Sequence, residues 1–454
     1  MATFALLGFG PMAQALSLQA LEHDHEVLLW NRTYEKVETF VKEKNNKNLH
    51  AKKEIQEIIQ ALPTPRILFL LVQAGPAVDE ILGTLLPLLT PRDIIADLGN
   101  SHYKDTEKRQ ALCRAQNIEL LSVGISGGIL GARDGAAFMV SGQQETYLTL
   151  APILQSLSKD TTSVHYLGEA AEGHCVKMVH NGIEYAHMDV LRLSFDILHG
   201  GLSWSGENIL ELFREWQRGS LQSFLLERVC TVLKEFKDGP LSLENIRPIL
   251  ESKGTALWMT QIALEKHISL PMISRAVEQR VTTGETSLQI PLTPSLTIPS
   301  LEKLIQDLPR ALEIAETFAF LEGLTFLSLC LPTLSLKKIL LSWESGCIIS
   351  GKILTTLLSL CEENISVQEL TKKYTEIPDV IAAFDSIKTV IQGAVGFSLP
   401  LGSFGGVYEK IVSTKTNDDG IRVLAATRDA FGAHGIPLQD GTIAHGTWVK
   451  KYIT

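Results

Sequence analysis

The sequence predicts an α/β domain built on a doubly wound sheet, followed by a large all-α domain. Three observations carry this expectation. Short apolar runs alternate with helical stretches through the first third of the chain. Those runs (Phe4–Gly10, His25–Asn31, Arg66–Val72, Asp93–Gly99, Ile118–Gly124 and Ala136–Gly142) are almost continuously apolar, which suits parallel strands covered on both faces. From about Tyr166 onward such runs stop and long helical patterns take over, as in the segments 173–198 and 300–329.

Size and composition bound the rest. A chain of 454 residues, 45% hydrophobic and 20% charged, is long enough for two or three cores. Its net charge of −10 disfavours a general polyanion binder, though not a local basic pocket for a phosphate. The N-terminus has no basic segment ahead of its apolar run, so a first strand is expected there and not a signal peptide. The apolar stretch Phe318–Leu334 is interrupted by Glu322 and Pro332 and falls short of the roughly 20 clean apolar residues of a membrane span. A buried helix is expected. Cys113, Cys175, Cys230, Cys330, Cys347 and Cys361 show no CxxC pair and no metal-ligand spacing, which points to no metal and to a reduced, cytoplasmic setting. The Thr/Ser/Pro-rich stretch 282–300 and the segment 413–420 are expected to be loops.

The first strand runs into Gly8-Phe9-Gly10-Pro11-Met12-Ala13. This G-x-G-x-x-A form, between a strand and a helix, is the Rossmann-like dinucleotide turn. Gly8 makes the tight turn, Gly10 lets the backbone approach a pyrophosphate, and the helix N-terminus faces the negative charge. After the second strand, about 20 residues on, an NAD site would place an acid on the ribose hydroxyl. This chain has Asn31-Arg32-Thr33. A guanidinium and two neutral polar side chains favour an extra phosphate, and NADP is the expected cofactor.

Farther on, Lys177, His180, Asn181 and Glu184 stand at i, i+3, i+4 and i+7, on one face of a helix. Val176, Val179 and Ile183 lie off that stripe. Spacing alone leaves two readings open: a solvated helix face, or a base, an acid and two orienting donors gathered at a site.

The stretch GHCVKMVHNGIEYAHM resembles the signature helix of the 6-phosphogluconate dehydrogenases. The likeness extends end to end, through NRT at Asn31, AGPAVDE at Ala74, DLGNSHYKDT at Asp97, GISGG at Gly124, KGT at Lys253, WESGCII at Trp343 and RDAFGAH at Arg428. The resemblance implies oxidative decarboxylation of 6-phosphogluconate to ribulose 5-phosphate and carbon dioxide, reducing NADP to NADPH, as in the pentose phosphate pathway. It makes Lys177 the general base at the carbon 3 hydroxyl and Glu184 the acid that protonates carbon 1 of the enediol. An amine with a pKa of about 10.4 in water must be depressed for that task.

By the same resemblance, Ser126, Gly127 and Gly128 hold the carboxylate end of the substrate, and His180 and Asn181 orient it. Asn100 lies between cofactor and substrate, while Val72, Gln73 and Ala74 border the cofactor. Tyr185, Lys253, Thr255 and Arg280, with Arg428 and His434, are implied at the phosphate. The last two are expected from a second subunit, so a homodimer with shared sites is implied. The domain boundaries that follow are 1–167 for NADP binding, 168–430 for substrate binding and dimerisation, and a tail at 431–454 completing the partner's site.

The chain departs from the family pattern at Gln73, Ile129-Leu130, Ala256-Leu257, Glu344-Ser345 and in its short tail, which bears on cofactor affinity and dimer contacts. Two other readings compete. A β-hydroxyacid dehydrogenase acting on an unphosphorylated acid would not need the basic cluster. A non-catalytic relative would not need Lys177, His180, Asn181 and Glu184 together.

Overall fold

The computed structural model describes residues 1–250, 254–282, 298–413 and 418–449. The chain divides into two compact units, Met1–Val407 and Tyr408–Thr454.

The first unit opens with β1 (Thr3–Leu7), α1 (Pro11–Glu22), β2 (Glu26–Trp30), α2 (Tyr34–Lys44), β3 (Leu49–Ala51), α3 (Ile55–Ala61), β4 (Ile67–Leu70) and α4 (Pro76–Leu85). There follow β5 (Ile94–Asp97), α5 (Tyr103–Arg114), β6 (Glu119–Ser126), α6 (Gly128–Asp134), β7 (Ala137–Ser141), α7 (Gln144–Ser156) and β8 (Val164–Gly168). The strands form one sheet in the order β3-β2-β1-β4-β5-β6-β7-β8. Pairing is parallel from β3 across to β6; β7 runs antiparallel to β6, and β8 parallel to β7.

Alternation of side chains explains why the strands are apolar throughout. Phe4 and Leu6 of β1, with Val27, Leu29 and Phe69, bury into one core layer. Ala5 and Leu7, with Leu28, Leu68 and Leu70, bury into the other. The central strands thus feed two helical layers and have no solvent-facing side. Strand order reverses between β1 and β4, where such sheets open a crevice at their carboxyl ends.

Two strands of this sheet escape the run-by-run sequence reading. β3 has three residues, and β8 is partly exposed with the mixed sequence VHYLG. Neither is long or apolar enough to announce itself; pairing to a neighbour makes them strands.

Past the sheet the first unit is helical: α8 (Glu172–Asp196), α9 (Gly206–Arg218), α10 (Phe224–Asp238), α11 (Thr255–Glu265), α12 (Pro271–Thr282) and α13 (Leu301–Cys330). Then come α14 (Leu336–Leu341), α15 (Lys352–Leu360), α16 (Val367–Thr375) and α17 (Pro378–Gly396), while α18 (Gly402–Ser413) begins in the first unit and ends in the second. The 25-residue α8 is buried along nearly its whole length. It lies close against the sheet because it and its neighbours spend glycines on the contact. A Cβ on Gly124 of β6 would sit 2.6 Å from the Cβ of Lys177, and one on Gly173 would sit 2.4 Å from the Met139 carbonyl. On another face, Gly323 of α13 leaves room for Val179 and Ile183. The expected buried helix around Phe318 is thus α13. No described helix is long and apolar enough to cross a membrane.

The second unit holds α19 (Asp419–Gly432) and a small antiparallel pair, β9 (Ile436–Pro437) with β10 (Ile443–Ala444). Its organising group is Asp429, fully buried. The carboxylate accepts from Gly435 N at 2.9 Å, Gly446 N at 2.9 Å and Trp448 Nε1 at 3.0 Å, and pairs with His445 Nδ1 at 2.7 Å. Burial alone would raise its pKa, but these bonds outweigh it and hold the carboxyl down at about 2.

Candidate active site

The dinucleotide crevice is built by backbone. Gly8 has φ +100°, and a Cβ there would meet the Leu71 carbonyl oxygen at 2.4 Å. Glycine is therefore required twice over, by conformation and by the contact with the end of β4. Gly10 caps α1, with Pro11 opening the helix. No protein atom lies within 4 Å of where its Cβ would project. These features fit a pyrophosphate at the N-terminus of the 12-residue α1, with Met12 and Ala13 in its first turn.

Asn31 ties this turn to the end of β2. Its Oδ1 accepts from Phe9 N at 3.3 Å while its Nδ2 donates to the Thr33 carbonyl. Asn31 therefore shapes the loop, and the exposed pair Arg32 and Thr33 is what the loop presents. Val72, Gln73 and Ala74 leave β4 on the other side, ahead of Gly75 at the start of α4. Asn100 leaves β5 partly buried. A Cβ on the adjacent Gly99 would lie 3.2 Å from the Val72 carbonyl, so these two loops touch.

Of the polar stripe of α8, Lys177 and His180 are buried and Asn181 and Glu184 partly so, so the stripe is not a fully solvated helix face. Lys177 is 7% exposed and His180 fully buried. Lys177 Nζ lies 3.2 Å from His180 Nδ1. The same ring nitrogen is 3.1 Å from Asn181 Oδ1 and 3.8 Å from Glu184 Oε2. The other ring nitrogen, Nε2, is 2.7 Å from Ser126 Oγ at the end of β6. Ser126 Oγ also accepts from Ile348 N at 3.1 Å, with Cys347 Sγ 3.2 Å away. Asn181 Nδ2 donates to Thr255 Oγ1 of α11 at 2.9 Å. Three segments far apart in sequence thus gather at one turn of α8.

Burial, and then the positive charge of Lys177, push the His180 pKa well below its ordinary value. The ring is neutral at physiological pH. Its Nδ1 faces both a nitrogen donor and an amide oxygen, so ring tautomer and lysine protonation are linked. With Nδ1 bare, it accepts from the Lys177 ammonium, and Nε2–H donates to Ser126. With Nδ1 protonated, it donates to Asn181 and no longer accepts from Lys177 Nζ.

Gly127 and Gly128 follow Ser126 with φ +116° and +63°, and a Cβ on Gly127 would meet the Gly346 carbonyl at 2.9 Å. The loop is thereby pressed against the WESGCII segment, where Ser345 donates to Asp160 at 2.5 Å. The neighbouring departures Ile129 and Leu130 are exposed. At the far end of the stripe, the Arg280 guanidinium stacks 3.6 Å above the centre of the Tyr185 ring. Arg280 Nη2 also meets Met188 Sδ at 3.2 Å.

Among the residues predicted for the phosphate, then, Tyr185 and Arg280 are brought together, and Thr255 bonds to Asn181 on the same helix. Lys253 lies outside the described residues. Arg428 and His434 are exposed residues of the second unit. Sequence reasoning missed Ile348 and Cys347, although the WESGCII motif containing them was noted. It also missed a buried set made of Asp97, Ser101, Arg109 and His174, because no local pattern marks an arginine or histidine as buried. Among the described residues, no group of three or more His, Cys, Asp or Glu could hold a metal ion.

A dinucleotide turn on a doubly wound sheet, followed by a long helix that carries a buried lysine–histidine pair and packs on that sheet, defines a dinucleotide-dependent dehydrogenase. Comparison with known proteins makes this specific. The profile of the "NAD binding domain of 6-phosphogluconate dehydrogenase" matches residues 3–168, and that of "6-phosphogluconate dehydrogenase, C-terminal domain" matches 173–448. The decarboxylating 6-phosphogluconate dehydrogenase of Lactococcus lactis subsp. cremoris is 31% identical, over 99% of each chain. The Staphylococcus aureus enzyme of the same name is 29% identical, over 98% of this chain and 99% of the other. The solved Plasmodium falciparum 6-phosphogluconate dehydrogenase, studied with its cofactor NADP+ and its substrate 6-phosphogluconate, superposes with a TM-score of 0.87. It is 29% identical and covers 98% of this chain and 100% of its own. The chain belongs to the 6-phosphogluconate dehydrogenase family.

Proposed function

We propose that this protein oxidises and decarboxylates 6-phosphogluconate to ribulose 5-phosphate and carbon dioxide, with NADP as hydride acceptor. The observation that carries this reading is the buried Lys177–His180–Ser126 line, set on α8 beside the sheet that forms the dinucleotide crevice. NADP, when bound, takes the hydride from carbon 3. Gly8, Gly10, Met12 and Ala13 would receive its pyrophosphate, Arg32 and Thr33 its 2′-phosphate, and the 72–74 loop with Asn100 its nicotinamide end.

Lys177 takes the carbon 3 hydroxyl proton as the hydride leaves. Burial is the general means by which an amine serves as a base near neutral pH. The product is a β-keto acid, whose ketone accepts the electron pair when the carboxyl carbon departs as carbon dioxide. Lys177, now an ammonium, donates to that ketone oxygen, and neutral His180 supports it from Nδ1. Glu184, on the same helix face, returns a proton to carbon 1. Ser126, Gly127 and Gly128 receive the carboxylate, Asn181 orients the hydroxyls, and Tyr185, Thr255, Arg280 and Lys253 take the phosphate. Arg428 and His434 of a second copy complete the site, so the working unit is a homodimer. Residues 1–167, 168–430 and 431–454 serve as cofactor domain, substrate and dimer domain, and tail. A cytoplasmic enzyme of the pentose phosphate pathway is the setting we infer.

The test is direct. Purified protein with 6-phosphogluconate and NADP should release carbon dioxide and NADPH in equal amounts, and NAD should serve less well. Reduction of NADP by unphosphorylated hydroxyacids alone, with none from 6-phosphogluconate, would overturn the proposal.

A further inference from the structure

Arg109 of α5 is 4% exposed, yet it is neither in the crevice nor on α8. All three of its guanidinium nitrogens donate. Nε donates to Asp79 Oδ1 at 2.7 Å and Nη2 to Asp79 Oδ2 at 3.1 Å, a two-point grip on the first turn of α4. Nη2 also donates to the Gly75 carbonyl at 3.0 Å, and Nη1 to Ser101 Oγ at 3.3 Å. Ser101 in turn donates to Asp97 Oδ2 at 2.6 Å, whose Oδ1 accepts from Gly99 N at 2.9 Å. The Asp97 carbonyl pairs with His174 Nε2 at 3.0 Å, and His174 Nδ1 pairs with Thr106 Oγ1 of α5 at 2.8 Å.

The bonds of this network reach the first turn of α4, the loop residues Gly75, Gly99 and Ser101, the end of β5 and the start of α8. One loop is 72–75, between β4 and α4; the other is 98–101, between β5 and α5. Buried charge is costly unless it is fully bonded, and an apolar filler would serve packing alone at least as well. The arginine fork joins three directions at once, which no apolar side chain does.

We infer that Arg109 is a positioning residue for the cofactor: it locks the 72–75 and 98–101 loops to each other and, through Asp97 and His174, sets both against the helix that carries Lys177. The inference rests on the reading that these loops hold the nicotinamide end of NADP. Arg109 itself touches no reacting atom. It holds in register the loops that would, and it does so three residues upstream of the catalytic lysine through His174.

The test uses the full-length protein and follows NADPH affinity by fluorescence titration beside steady-state kinetics. Arg109→Lys keeps the charge and loses the fork. It should weaken NADPH binding about tenfold, the loss of a bond or two to a charged group. It should raise the KM for NADP in step and change the KM for 6-phosphogluconate by less than about twofold. A residue that merely stabilised the fold would lower the melting temperature and the active fraction without this split between the two substrates. Asp79→Asn, whose side chain is 59% exposed, releases the grip from the surface side and should give the same split, about threefold. That keeps the inference testable if Arg109→Lys fails to fold. Asn100→Ala serves as the reference. If it weakens NADPH binding while both Arg109→Lys and Asp79→Asn leave affinity within twofold, the positioning role is overturned. If all three leave affinity unchanged, the loops do not hold the cofactor, and the site assignment falls with the inference.

Discussion

The dinucleotide turn at Gly8–Ala13 and the polar stripe at Lys177–Glu184 are both short segments, but they are built in opposite ways. The turn works through backbone: a left-handed glycine, a helix N-terminus and an open space beside Gly10. Its parts lie within one strand–helix crossover. The stripe works through side chains that other segments must come to meet. Ser126 stands 54 residues before His180, Thr255 stands 74 after Asn181, and Ile348 reaches Ser126 across 222 residues. A backbone site is thus specified locally, whereas a side-chain site depends on the whole packing of α8 between the sheet, α11 and α13. Substitutions should separate the two.

The largest effect belongs to the stripe. Lys177→Ala should lower kcat by about 10² to 10⁴-fold, the usual worth of a general base, with NADPH binding retained. Activity above about a tenth of the parent would contradict the role of Lys177 and, with it, the functional difference between the regions.

The turn should show a split of another kind. Gly8→Ala sets a Cβ 2.4 Å from the Leu71 carbonyl at φ +100°, and should destabilise the protein by roughly 1–3 kcal/mol. Gly10→Ala enters space free of protein atoms at an extended φ of −85°. It should leave melting unchanged and weaken NADP binding about tenfold. Melting curves and NADPH titrations on the pair decide this; equal loss of stability in both would mean the turn is a packing motif alone.

Legibility followed the same division. The turn, the doubly wound sheet and the change to helices at about residue 168 could be read because strand runs, glycine spacing and helix periodicity are local signals. The four polar positions of the stripe were equally visible, but their burial was not. A Lys-His-Asn-Glu face reads the same in water as in a cleft, until Gly124 and Gly173 are seen to bring α8 onto β6 and β7. Family resemblance, not spacing, chose the active-site reading. Arg109 and His174 were missed for the same reason, since their partners lie in segments that meet only through the fold. The short strands β3 and β8 had too little pattern to be read at all.

A smaller effect sharpens the local side of the comparison. Asn31 is engaged in shaping the loop, so, under the proposed function, discrimination for a 2′-phosphate is assigned to the exposed Arg32. Arg32→Ala should raise the KM for NADP about threefold to tenfold, in line with one exposed charge-assisted contact, and leave the KM for NAD nearly unchanged. Kinetics with both cofactors check it. An equal rise for both would place the 2′-phosphate elsewhere.

The smallest effect asks whether every buried polar group touching α8 is functional. Behind the stripe, His187 Nε2 pairs with the Glu316 backbone carbonyl of α13 at 3.0 Å, and the Glu316 side chain is 3% exposed. Burial, then the nearby Glu313 carboxylate, raise the Glu316 carboxyl to about 8 from an ordinary value of 4.5. The folded state therefore holds a proton that the unfolded chain gives up above about 4.5. The stability this confers is complete below that value and is lost as pH rises through about 8. Glu316→Gln keeps the neutral shape and removes the titration. Between pH 5 and 9 the parent's melting temperature should fall more than the variant's, by on the order of a degree or two, while kcat at pH 7 stays within about twofold. Parallel melting profiles would show that Glu316 does not bind its proton more tightly in the folded state. A large loss of kcat would show instead that the rear of α8 belongs to the active site, and that the side-chain region reaches through the helix to α13.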